Sequence, residues 1–230
     1  MRPGFVVGIA VLVCGLAGAA EVRIADDFAG YAAGALAGEG WETDAMSWQV
    51  REGRFRCDWP GTVEAFPRDP RLFKAATVEA TIIPRSTTGT NWKTVAVALK
   101  ADERHFWHLA LVEAPTSNDR RHFVELSEMR DGQWLAQNNL KVTASQGNNF
   151  AWEFDTAYRL RLTMNPEGID GQVLDAQGQV VAHLGYAFSA PAVTEGRPCL
   201  RSSQVIADFD DFLVVAEGDT ATVPPPPAES

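Results

Sequence analysis

Three of the four histidines of this 230-residue chain fall in one short stretch. His105, Trp107 and His108 are followed by Glu113, a turn-rich polar loop over residues 114–121, and then His122, Glu125 and Glu128. Retaining glycoside hydrolysis needs two carboxyl groups about 5–5.5 Å apart, one as nucleophile and one as acid/base. Glu125 and Glu128 come nearest to such a pair. A spacing of three puts them on opposite faces of a regular strand, and only a β-bulge would bring them to one face. If the chain is an enzyme, Glu125, Glu128 and His108 are its candidate catalytic residues. His105 and Trp107 share a strand face, and an indole offers a flat apolar surface on which the C–H face of a pyranose packs. With Glu125 and Trp134, which follows the Asp131-Gly132 turn, they form the candidate ligand-binding set. His108 takes the other face with Phe106 and Ala110. The alternative for Trp107 is a place in the core, with His105 at the rim. No spacing supports metal ligation by the three histidines.

The elements that must position these groups are strands. Runs of 6–10 residues alternate with period two between Gly, Pro, Asn and Asp, and helical patterning is nearly absent. Glu52-Gly53 joins two short runs as a hairpin. The clearest strand places Tyr158, Leu160, Leu162 and Met164 on one face and Arg159, Arg161 and Thr163 on the other. About twelve to fourteen strands are too many for one open sheet, so the chain is expected to pack two sheets. The predicted fold is an all-β, two-sheet antiparallel jelly-roll sandwich over residues 21–215. No repeat of 20–50 residues points to a propeller or solenoid.

Both ends read as lying outside that domain. Arg2, an apolar run over residues 5–16 and the small residues 17–20 have the layout of a cleaved secretory signal peptide, residues 1–20. The expected location is therefore secreted or periplasmic. Residues 216–230, with their run of prolines at 224–227, read as a disordered or polyproline-like tail. The formal net charge of −10 provides no basic footprint for nucleic acid or an anionic membrane surface. Beyond the leader two cysteines remain, Cys57 and Cys199, and in an oxidising compartment the pair reads as one disulfide. Two separately buried thiols are the alternative.

Several motifs in order carry a resemblance: Ala25-Asp26-Asp27-Phe28, the hairpin from Trp48 to Phe55, the run from Tyr158 to Leu162 with two Gly-turned strands after it, the run from Gly196 to Arg201, and Ala207 to Val214 with Asp210 and Asp211. Together they resemble the concanavalin A-like lectin/glucanase superfamily, laminin-G-like modules included, over nearly the whole domain. That resemblance implies a jelly roll with adjacent first and last strands, and it spans lectins, carbohydrate-binding modules, hydrolases and lyases. Family-16 hydrolases of this fold carry a Glu-x-Asp-x-x-Glu run, which is missing here. Several jelly-roll families hold a structural calcium between the first and last strands, which would fall to Asp26, Asp27, Asp210 and Asp211. No other cofactor is implied. The expected function is a non-catalytic, lectin-like carbohydrate-binding module. The alternatives are a glycoside hydrolase or polysaccharide lyase of the same fold, or an adhesion domain with a protein partner.

Overall fold

The computed structural model describes residues 12–14, 21–35, 40–43, 46–134, 139–147, 149–189, 191–217 and 220–222, the first and last of these as backbone only. Among them are 18 strands and no α-helix. In chain order these are β1 (Leu12–Cys14), β2 (Glu21–Asp26), β3 (Trp41–Thr43), β4 (Trp48–Arg51), β5 (Arg54–Cys57), β6 (Thr62–Pro67), β7 (Arg71–Phe73), β8 (Ala76–Thr87) and β9 (Lys93–Asp102). There follow β10 (His105–Glu113), β11 (His122–Met129), β12 (Lys141–Gln146), β13 (Tyr158–Asn165), β14 (Gly168–Leu174), β15 (Val180–Ala187), β16 (Arg197–Ser203), β17 (Val205–Ala216) and β18 (Thr220–Thr222).

Two antiparallel sheets make the sandwich. The larger runs β1-β2-β17-β8-β13-β14-β15-β12, with the β4–β5 hairpin joined to it through β17; the smaller runs β11-β10-β9-β16-β6-β3. The first and last long strands, β2 and β17, are neighbours, as the resemblance implied. Alternation decides the core. Tyr158, Leu160, Leu162 and Met164 turn inward from β13, and Leu109, Leu111, Val97 and Leu99 turn inward from the opposite sheet. An aromatic group of Phe28, Trp41, Trp48, Phe55, Phe209 and Phe212 fills one end.

The strand count exceeds the expected twelve to fourteen. Three-residue strands such as β3 and β7 are too short to show a period, and β12 is an exposed edge whose burial does not alternate. β8 also continues through Pro84, where a strand end was expected. The β13 ladder stops at Ile82, so the missing N–H of Pro84 interrupts nothing, and its carbonyl accepts a hydrogen bond from the Asp155 N–H. At the other end β17 runs one residue past the expected boundary at 215, because Ala216 is buried against the core, and β18 pairs with β7 beyond it. Most of the expected leader and tail lies outside the described residues; Leu12–Cys14 adds to the edge of β2.

Cys57 and Cys199 are both free and buried, which corrects the expected disulfide. The reason is which way each side chain points. Cys57 belongs to the core between the sheets. Cys199 alternates with the inward-facing Leu200 and looks out of the six-stranded sheet, beneath Lys100, Glu64 and Arg201. Burial pushes the Cys57 thiol up to about 12 and raises Cys199 as well, so neither is a ready thiolate. Alkylation of the denatured protein without reductant, read by mass spectrometry, should label both residues, and the native protein should resist the reagent.

A buried ion cluster ties β5, β8 and β17 together on the outer face of the larger sheet. Asp208, with its side chain 3% exposed, accepts hydrogen bonds from Arg56 Nε at 2.5 Å, Arg56 Nη2 at 2.9 Å and Arg85 Nε at 2.7 Å. Burial alone would raise this carboxyl, but the two guanidinium groups outweigh it and hold it below the ordinary carboxylate value. Its stabilisation is therefore present above the unfolded carboxylate pKa and lost as pH falls through the lower folded value. Asp208→Ala should cost about 2–3 kcal/mol at neutral pH, less than the about 3–5 kcal/mol for breaking a fully buried pair, because both arginines keep some solvent contact. Urea melts should show the gap between parent and variant narrowing toward pH 3.

Candidate functional site

The outer face of the six-stranded sheet divides into a packed half and an open half. In the packed half, cations lie over aromatic rings: Lys100 over Phe66 and Phe106, Arg197 over Phe66, and Arg201 over Phe106. Glu64 receives both Lys100 and Arg201. In the open half the outward-facing positions beneath the surface are small side chains, Ala96, Ala110 and Val112. Here lies a groove of about 540 Å³. Its walls carry Thr62, Thr94, Ser127 and Ser203, with Trp92 and Trp134 as aromatic groups and His108, Glu125 and Arg201 as charged or titratable ones.

The β10–β11 ladder positions the central pair. His108 lies opposite Ser127, and Ala110 lies opposite Glu125, so His108 and Glu125 are diagonal neighbours on one face. His108 Nε2 is 3.2 Å from Glu125 Oε1. The tautomer that carries its proton on Nε2 donates to this carboxylate and leaves Nδ1 an acceptor, and Nδ1 has no hydrogen-bond partner. Burial lowers the His108 pKa and keeps the ring neutral. Burial would raise Glu125, but the hydrogen bond from His108 prevails and keeps it ionised. Trp134 covers the pair, its ring tilted over His108 at 4.7 Å and edge-on to Phe106 at 5.3 Å. Arg201 approaches Trp134 to 5.8 Å while bonded to Glu64 and Thr94. At the other end Trp92, 52% exposed, stands edge-on to Phe123.

The four expected ligand-binding residues do not all meet. Glu125 and Trp134 line the groove. Trp107 does not: it is fully buried between the sheets, packs on Tyr186 at 5.8 Å and donates its indole N–H to the Val193 carbonyl at 3.0 Å. His105 is displaced by a register shift between His105 and Phe106, and it sits at the rim with Nδ1 2.8 Å from Asp102 and Nε2 3.2 Å from Asp131. His108, held in reserve on the opposite face, is the histidine that enters the groove. Trp92, Arg201 and the four hydroxyl residues went unnoticed. Arg201 had a legible signal, since Arg197, Cys199, Arg201 and Ser203 form one face of β16. Trp92 had only its position beside a polar loop.

Glu125 and Glu128 also separate, as their spacing required. The β10–β11 register runs unbroken through both, and no bulge brings them together. Glu128 turns inward, where its Oε1 accepts the Val193 N–H at 2.7 Å and burial raises its carboxyl. A two-carboxylate arrangement is therefore not assembled from this pair. The other residues of the opening stretch hold the 114–121 loop. Glu113 receives Lys93, Arg121 and Thr87, and His122 stacks on Trp152 at 4.0 Å.

The four aspartates expected at a calcium do not converge. Asp26 faces inward and accepts the Phe28 N–H, the Tyr31 hydroxyl and the Trp41 indole N–H. Asp27 caps Ala29, Asp210 pairs with Arg54, and Asp211 pairs with Arg159. Among the described residues no group of three or more His, Cys, Asp or Glu side chains is arranged to hold a metal.

No protein-family model and no curated protein matches the chain. Solved structures do match in fold. A carbohydrate-binding module of family 66 from Bacillus subtilis shares 14% identity over 75% of this chain and 93% of its own, with a TM-score of 0.54. Peanut lectin, solved with a 9mer peptide, shares 7% identity over 88% of this chain and 99% of its own, with a TM-score of 0.56. A family-43 glycoside hydrolase from Bacillus licheniformis shares 16% identity over 84% of this chain but 39% of its own, with a TM-score of 0.55. The fold is the concanavalin A-like jelly roll that the motifs resembled.

Trp107 and Trp134 should therefore behave oppositely on truncation. Trp107→Ala should destabilise the protein by about 3–5 kcal/mol, the cost of emptying a core tryptophan site. Trp134→Ala, at a half-open site, should cost under about 1 kcal/mol. Chemical denaturation of the two variants measures both.

Proposed function

We propose that this protein is an exported, non-catalytic carbohydrate-binding module that takes its ligand in the groove of the six-stranded sheet. The observation that carries this reading is the pairing of Trp134 with the His108–Glu125 couple at one end of a groove walled by hydroxyl side chains. The indole offers apolar surface to a sugar ring, the Glu125 carboxylate accepts ring hydroxyls, and Arg201 and the hydroxyls of Thr94 and Ser203 offer donors. Lectins and a carbohydrate-binding module among the structural neighbours support the reading at the level of fold. The absence of catalysis is supported by the placement of carboxylates: of Glu125 and Glu128, one faces the groove and the other faces the core. Export rests on the leader layout of residues 1–20.

Affinity electrophoresis in gels containing soluble polysaccharides tests this. The protein should be retarded by at least one neutral polysaccharide, and Trp134→Ala and Glu125→Gln should each abolish the retardation with an unchanged melting temperature. Release of reducing ends or unsaturated products from the same polysaccharide, lost in Glu125→Gln, would overturn the non-catalytic reading. Migration unaffected by any polysaccharide would overturn carbohydrate binding itself.

A further inference from the structure

We propose that the groove holds a run of linked neutral sugars, one ring against Trp134 and another against Trp92, rather than a single terminal residue. This rests on the carbohydrate reading above and specifies its ligand.

The spacing of the two aromatic platforms carries the inference. Trp134 lies over His108, and Trp92 stands against Phe123, which is the ladder partner of Val112. His108 and Val112 are four residues apart on β10, so at about 3.3 Å per residue the platforms stand about 13 Å apart along the strand. One pyranose ring cannot touch both. Between them β10 and β9 carry only small outward side chains, Ala110 and Ala96, beneath the lining residues, and the same groove is lined by both tryptophans. Its volume of about 540 Å³ lies within the range of sites for ligands of several rings. Trp92 adds an independent point: it is a large aromatic 52% exposed at the groove wall, edge-on to Phe123.

Charge narrows the class. Among the described residues the cation lining the groove is Arg201, already bonded to Glu64 and Thr94. The one carboxylate lining it, Glu125, has only the neutral His108 and Ser127 beside it. A uronate or sulfated chain would bring its negative charge against Glu125 at the Trp134 end, where Arg201 is already shared with Glu64, while Arg120 lies over Phe123 at the Trp92 end. Neutral hydroxyls donate to that carboxylate without penalty.

Isothermal titration calorimetry with gluco-, xylo-, manno- and fructo-oligosaccharides, each from monosaccharide to hexasaccharide, and with oligogalacturonides, tests this. Affinity for the neutral series that binds should climb by at least about tenfold between mono- and tetrasaccharide and then level off. Trp92→Ala should remove that gain, with the melting temperature unchanged. Oligogalacturonides should bind more weakly than the neutral series. A monosaccharide that binds as tightly as the hexasaccharide, a Trp92→Ala variant with undiminished hexasaccharide affinity, or a preference for galacturonides would overturn this inference while leaving carbohydrate binding intact. No binding by any sugar, in protein that melts normally, would overturn the carbohydrate reading and this inference with it.

Discussion

Everything at the site depends on the two-residue alternation of β10 and β11 in a sheet with one face sealed against another sheet. A strand cannot turn one side chain toward solvent without turning the next toward the core. Trp107 goes in, so His108 must go out. Glu128 goes in, so Glu125 must go out. The inward pair is then put to structural use, because both bond the backbone of Val193, the tryptophan through its carbonyl and the glutamate through its N–H. They fasten the segment that leads into β16. The outward pair meets in the groove, His108 beneath Trp134.

The same sheet face shows how a groove is kept open in a strongly packing fold. At one end, long cationic side chains lie flat over Phe66 and Phe106 and are neutralised by Glu64, so that apolar surface is covered and charge is not stranded. At the other end, alanines and a valine stand in place of those long side chains, too short to lie over their neighbours. Size, more than polarity, draws the boundary between the halves. Arg201 stands on that boundary and belongs to both: its guanidinium bonds Glu64 while approaching the ring of Trp134.

Much of this was legible in residue order. The antiparallel sandwich, the Glu52-Gly53 hairpin, the inward face of β13 and the separation of Glu125 from Glu128 follow from period two and turn chemistry alone. The groove was half legible. Alternation states that Trp107 and His108 oppose one another, but it does not say which of the two faces is sealed. That depends on what packs across the sandwich, here Tyr186 from β15. The disulfide failed for the same reason: a count of two cysteines is blind to Cys57 pointing into the core and Cys199 pointing out of the other sheet. The single-residue shift at His105 is likewise tertiary, since it arises where the β9–β10 ladder ends and Asp102 and Asp131 take the ring.

The ends of the domain are joined by the β2–β17 ladder, and the acidic doublets beside it bond elsewhere. Asp26 is nearly buried on β2, and a carboxylate there would be costly unless fully bonded. Three donors from the following segment, the Phe28 N–H, the Tyr31 hydroxyl and the Trp41 indole, converge on it. Burial and this carboxylate together push the Tyr31 hydroxyl above its ordinary range, so the phenol remains a donor throughout the pH range of the folded protein. On the adjoining β17, Asp211 adopts a left-handed φ of 47° at a bulge, which lets Phe209 and Phe212 both face the core although three residues apart. That bulge turns Asp210 and Asp211 outward, to Arg54 and Arg159. The two doublets thus face opposite sides of one sheet. What Asp26 joins is the opening strand to the aromatic end of the core, through three hydrogen bonds.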